Sequence, residues 1–129
     1  MSTYGISAYT QNGLLNCFNN QPFVVPSVAV QFHTGAPVAN GTLNVSGLGS
    51  RQLVTFTIVS GVLTFTGDQP TWTVATAETE IAASFWDSLS PGTGNFLFSG
   101  AVVVPETVAN GDVLTISQVY LPLTLGLAS

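Results

Sequence analysis

Charge is what this sequence has least of. Asp, Glu, Lys and Arg together make up 5% of 129 residues, where a soluble domain ordinarily carries roughly 25%. Arg51 is the one basic residue against six acids, for a net charge of −5. Nucleic-acid phosphates and anionic membrane surfaces are bound by clustered Lys and Arg, so both partner classes are excluded. Cys17 is the single cysteine and His33 the single histidine, so the chain offers neither an internal disulfide nor a closed four-ligand zinc site. Long hydrophobic runs are missing too. The longest apolar stretch, residues 53–65, is interrupted by Thr55, Thr57, Ser60 and Thr64 and falls short of the roughly 20 residues a spanning helix needs. Residues 1–10 have no basic flank and no apolar core, which reads as no secretory signal and synthesis in a cytoplasm.

What remains is an apolar share of 46% wrapped in uncharged polar residues. Free monomers usually keep soluble with interspersed charges. Ser, Thr, Asn, Gln and Gly desolvate more cheaply, and a surface made of them suits a protein packed permanently against neighbours. At 13.4 kDa the chain reads as one domain, residues 1–129, large enough to bury roughly two thirds of its unfolded surface.

Periodicity changes along the chain. Leu14, Leu15 and Phe18 have the spacing of one helix face, so residues 7–20 predict a short helix, weakened by Gly13 and ended at Gln21-Pro22, with residues 1–20 as an N-terminal arm. Cys17 reads as a small buried hydrophobe. From there the period is two. Val28, Val30 and Phe32 alternate with Ala29 and Gln31, and Val54, Phe56 and Ile58 with Thr55 and Thr57, each pattern implying one buried and one polar face. Ser60-Gly61 reads as a two-residue hairpin turn. Further strands are expected at residues 71–75, 81–86, 95–103, 113–117 and 119–125, with turns at Pro91-Gly92 and Asn110-Gly111. The fold class is mainly β: a two-sheet antiparallel sandwich of jelly-roll or immunoglobulin-like connectivity with a short N-terminal helix.

Residues that could carry chemistry are few. His33, at the end of the first strand, reads as a hydrogen-bonded structural residue, because no G-x-S-x-G turn accompanies it. No Asp-x-Asp-x-Asp-Gly run offers calcium its oxygens, and Glu78 and Glu80 read as solvated loop carboxylates. Thr66-Gly67-Asp68 and Gly47-Leu48-Gly49 are turns with no helix behind them to cradle phosphate. Asn40-Gly41-Thr42 and Asn44-Val45-Ser46 carry no glycosylation meaning without a signal. No catalytic residue, metal or cofactor is expected. Trp72, Trp86 and the three tyrosines could stack on sugars as in a carbohydrate-binding module, but core and interface packing is the preferred reading.

Five motifs in order resemble a family of small tailed-phage virion structural proteins, often labelled tail-fibre-like. They are Leu14-Leu15-Asn16; Phe32-His33-Thr34-Gly35-Ala36-Pro37; Arg51-Gln52 followed by an alternating strand; Phe85-Trp86-Asp87 with Gly94-Asn95 and Gly100-Ala101 downstream; and Pro105-Glu106-Thr107-Val108-Ala109-Asn110-Gly111-Asp112 with a closing Leu121-Pro122-Leu123. An aromatic that the family carries before its Arg is replaced by Gly49-Ser50. The resemblance implies a non-enzymatic virion component made in the host bacterium's cytoplasm. The preferred placement is a decoration protein bound to the major capsid protein on the outer head surface, as a homo-oligomer and most simply a trimer; the alternative is a tail component, a fibre base or ring bound to other tail proteins. Subunit or partner contacts are expected at Arg51, Asp87, Trp86, Leu14 and Phe18. A buried guanidinium is costly unless satisfied, so Arg51 is expected to meet a carboxylate, Asp87 first, or several backbone carbonyls. The helix has few apolar positions, so the arm is expected to gain its order from contacts between copies.

Overall fold

The computed structural model of the protein describes residues 4–60, 62–67 and 70–115. It is mainly β with one short helix near the N-terminus, its antiparallel sheets curled into a sandwich-like half-barrel. In chain order the elements are β1 (Gly5–Ile6), α1 (Ala8–Cys17), β2 (Val28–His33), β3 (Gln52–Val59), β4 (Val62–Thr66), β5 (Thr71–Thr73), β6 (Glu78–Trp86), β7 (Phe96–Val108) and β8 (Val113–Thr115). Six strands form one sheet in the order β1-β7-β6-β2-β3-β4, and β5 pairs with β8. The strand expected over 119–125 lies outside the described residues, as do residues 116 and 117.

The inner face follows the alternation of the sequence. Val30, Phe32, Val54, Phe85 and Phe98 project from the six-stranded sheet, and Trp72, Val74 and Leu114 from the region of β5 and β8 join them in one buried cluster. Phe85 stacks on Phe98 with ring centroids 4.4 Å apart, and Trp72 meets Phe32 edge-on at 4.8 Å. Such pairs add about 0.5–1.5 kcal/mol each to the area they bury. The β3–β4 hairpin is the expected one: Val59 pairs with Val62, leaving two residues between, and Ser60 takes the left-handed conformation such turns require (φ 49°).

The opposite face departs from a simple buried-and-polar alternation. Ala29, Gln31 and His33 of β2 are as buried as their neighbours, and so are Ala82, Ser84 and Trp86 of β6. The segment between β2 and β3 covers them. It places fully buried Pro37 in the interior, brings Leu43 to His33, and sets Gly41 so close to Phe96 that a Cβ there would lie 2.6 Å from the ring. The sheet therefore has two interiors, one apolar and one largely polar.

The arm is built differently from the expectation. Ile6 is buried in the apolar cluster and β1 pairs with β7, so the first part of the arm belongs to the chain's own core. Ser7 caps α1, accepting from the Thr10 amide at 3.0 Å, and both the Ser7 amide and the Thr10 hydroxyl donate to the Leu97 carbonyl. A capped N-terminus thus docks the helix onto β7. With the helix held by that end, only Leu14 of the expected face packs on the core, while Leu15 is 51% and Phe18 91% exposed. Cys17 is exposed rather than buried for the same reason. Gly13 has a packing role: the Phe23 ring lies where a Cβ would sit, 2.2 Å from it.

Candidate functional site

The motifs around Arg51 and around residues 85–95 meet in space. β3 starts beside the β6–β7 connection, and Arg51, 4% exposed, reaches into it. One guanidinium nitrogen, Nη1, donates to the carbonyls of Ser88 and Thr93, each at 2.9 Å, and Nε donates to Gln31 Oε1 at 3.3 Å. The guanidinium carbon lies 4.2 Å from the centre of the Trp86 ring, a cation–π contact strengthened by the exclusion of water. Two carbonyls, an amide oxygen and an aromatic face stand in for a counter-ion.

Asp87, expected as the intrachain partner of Arg51, binds elsewhere. Its carboxylate accepts from the Asn95 amide at 2.6 Å and from Asn95 Nδ2 at 2.9 Å, closing the β6–β7 connection on itself. Burial works against the charge of Arg51, and Asp87 supports it through space. Gly94 is needed within this loop. Its φ is 79°, and a Cβ would stand 2.5 Å from Ser88 Cβ and 2.6 Å from Asp87 Oδ1. The aromatic-Asp and Gly-Asn motifs are thus one clasped loop, and Arg51 staples it to β2 and β3.

Beside the staple runs a buried relay. Trp86 Nε1 donates to Ser84 Oγ at 2.7 Å, and Ser84 Oγ lies 2.6 Å from His33 Nε2. His33 Nδ1 lies 2.8 Å from the Leu43 carbonyl, which can only accept. The proton therefore sits on Nδ1, and the Ser84 hydroxyl donates to Nε2. Burial, helped by the nearby charge of Arg51, lowers the pKa of His33 despite carbonyl partners that favour its protonation. A serine hydrogen-bonded to a histidine invites comparison with a nucleophile and its base. Here both residues are fully buried and the group orienting the ring is a carbonyl, so the pair closes the interior instead of facing a substrate. Trp72 is also turned inward, against Phe32 and with Nε1 on the Ser50 carbonyl at 3.0 Å. Neither tryptophan presents a face to a sugar.

Sequence reasoning missed the third cluster. Glu78 and Glu80 lie on β6, not on a loop, and Glu80 is fully buried. The Ser46 hydroxyl contacts Oε1 of both Glu78 and Glu80, and it accepts from the Leu48 amide at 3.0 Å. Glu78 Oε2 accepts from the Gly47 amide at 3.0 Å, while Glu80 Oε2 is buried without a partner among the described residues. Burial and its carboxyl neighbour Glu78 push Glu80 up to about 7. Burial alone would raise Glu78 too, but hydrogen bonds from Glu80, Ser46 and the two turn amides outweigh it and hold Glu78 below its ordinary value. The Glu-x-Glu spacing was visible in the sequence; the turn that covers it was not. Among the described residues no group of three or more His, Cys, Asp or Glu side chains gathers to hold a metal.

The outer surface carries the remaining expected contact residue. Phe18 and, beyond it, Val24 (72% exposed) face outward near α1, and Ile58 (72%) and Val59 lie at the tip of the hairpin. Large apolar side chains in this number on a charge-poor surface mark places suited to contact. Leu14, Trp86, Arg51 and Asp87 make the contacts within the chain described above.

No curated protein matches the chain. The family model described as Podophage GP4 fiber I protein gp80 matches residues 5–124, a span that includes all but the first four residues of the arm, the Arg51 staple and the clasped loop. The chain belongs to that family, a tailed-phage virion structural family of tail-fibre-like proteins.

Proposed function

We propose that this protein is a non-enzymatic building block of a phage fibre, located in the tail apparatus, and that it works as a homo-oligomer, a trimer in the simplest form. The observation that carries this reading is membership, over residues 5–124, of a family described by its fibre protein. The surface fits the role. The one Arg is spent inside the subunit, so no basic side chain is left to pair with acids on a neighbour. Contacts between copies then rest on apolar and uncharged polar groups such as Phe18, Leu15, Ile58 and Val59. The same deficit of cations speaks against nucleic-acid and membrane roles.

The head placement suggested by the sequence rests on small size and acidity, which a fibre subunit shares, and the fibre name of the family favours the tail. Its partners on this reading are further copies of itself and neighbouring tail proteins, not the major capsid protein. Mass spectrometry of separated heads and tails from disrupted particles tests the placement. The chain is expected in the tail fraction, and recovery with the heads would restore the decoration reading.

A further inference from the structure

We propose that Glu78, Glu80 and Ser46 form a proton-dependent clasp, in which one proton shared by the two carboxyl groups fastens the turn at residues 46–48 to β6 and rising pH opens it. Ser46 Oγ has one hydrogen to donate and already accepts from the Leu48 amide. It nevertheless contacts a carboxyl oxygen of Glu78 and, at 3.0 Å, one of Glu80. One hydroxyl hydrogen cannot serve both, so the second contact needs a proton on a carboxyl group. Burial decides which. Glu80 is fully buried and its Oε2 has no partner among the described residues, a costly position for a charged oxygen but a tolerable one for a neutral acid. Glu78, with the Gly47 amide on Oε2, is placed to keep the negative charge.

Among the described residues the surroundings supply nothing to neutralise a second charge. The covering segment, residues 34–50, contains no ionisable side chain. On β2, both nitrogens of His33 are taken by Leu43 and Ser84. At the start of β3, Arg51 is held by Ser88, Thr93 and Trp86. On β7, Glu106 stands opposite Glu80 in the strand register, an acid rather than a cation. Loss of the shared proton therefore leaves two repelling carboxylates, one buried, and the turn that leads into Arg51 loses its fastening.

The sign follows from linkage. Glu80 binds its proton more tightly in the folded protein than in the unfolded chain, with values of about 7 and 4.5. Its stabilising contribution is complete below the lower value, declines as pH rises between the two, and is gone above the upper one. The inference does not depend on the fibre reading. Its direct test is carbon-detected NMR titration of the Glu80 carboxyl in the intact chain. A midpoint near 7 is expected, and an ordinary one near 4.5 would overturn the clasp. Exchange protection of the Gly47 and Leu48 amides, corrected for intrinsic rate, should fall about tenfold as the pH is raised through the transition; unchanged protection would also overturn it. Glu80→Gln mimics the neutral acid, so the wild-type melting temperature should fall relative to this variant as pH rises. If Glu106→Gln, and not Glu80→Gln, removes that pH dependence, the proton sits elsewhere. Stabilisation of the wild type by millimolar calcium at high pH, lost in Glu80→Gln, would make the pair a cation site and defeat the proposal.

Discussion

The two faces of β2 and β6 are equally buried and are held by different physics. On one, Val30, Phe32 and Phe85 meet Phe98, Trp72 and Val74 through apolar contact that has no preferred direction. On the other, Gln31, His33, Ser84 and Trp86 are locked by hydrogen bonds, together with an arginine over an aromatic ring. Apolar cores accept volume-conserving exchanges, whereas a buried polar network fails when one member is removed and its partners are left unsatisfied. The apolar face supplies most of the driving force for folding; the polar face fixes where the long 34–51 segment and the β6–β7 loop must lie.

The largest effect is expected on the apolar face. Phe85→Ala removes a fully buried ring stacked on Phe98 and should cost about 4 kcal/mol in chemical denaturation, while Phe85→Leu should cost well under half of that. Next comes the polar face. Arg51→Ala leaves the Ser88 and Thr93 carbonyls without their donor and bares Trp86, a loss of about 3 kcal/mol. Here the conservative exchange should rescue poorly. Lysine is a point charge that cannot reproduce the fork joining Gln31 to two carbonyls, so Arg51→Lys should recover less than half. Equal tolerance of Phe85→Leu and Arg51→Lys would erase the distinction between the faces. Gly94→Ala is the smallest of the three, about 2 kcal/mol, from a side chain forced into a left-handed backbone against Ser88 and Asp87. Its thermal shift should come with lost exchange protection at Asn95.

The faces also differ in how well they could be read. Alternation at Val28, Val30 and Phe32 and the Ser60-Gly61 turn led directly to the strands, the hairpin and the sandwich-like class. The polar interior left no such trace, because Gln31, His33 and Ser84 alternate as solvent-facing residues do. Only the covering segment buries them, and that segment has no periodicity. Arg51 could be picked out by the cost of burying its charge, but its partners could not, since backbone carbonyls leave no mark in a sequence; Asp87 looked the better partner and was already committed to Asn95. Glu80 looked solvated because its segment read as a loop, whereas β6 begins at Glu78 and the turn at residues 46–48 covers it. Cys17 looked buried because an unreactive lone cysteine ordinarily packs as a small hydrophobe, whereas α1 is held by its cap at Ser7 and by Leu14, which leaves Cys17 on the outside.

Exposure of Phe18 leads to the central claim, that the protein acts by associating with copies of itself inside a fibre. Because Ile6 belongs to the subunit core, deleting the arm would unfold the subunit, and Phe18→Ser is the cleaner probe. The decisive measurement is light scattering coupled to size exclusion on the full chain at high micromolar concentration, with Phe18→Ser alongside. The account predicts a particle of three times the 13.4 kDa subunit mass that shifts toward monomer in the variant while the fold is retained. A wild-type chain that stays strictly monomeric, and that also fails to bind its own phage particle, would contradict it.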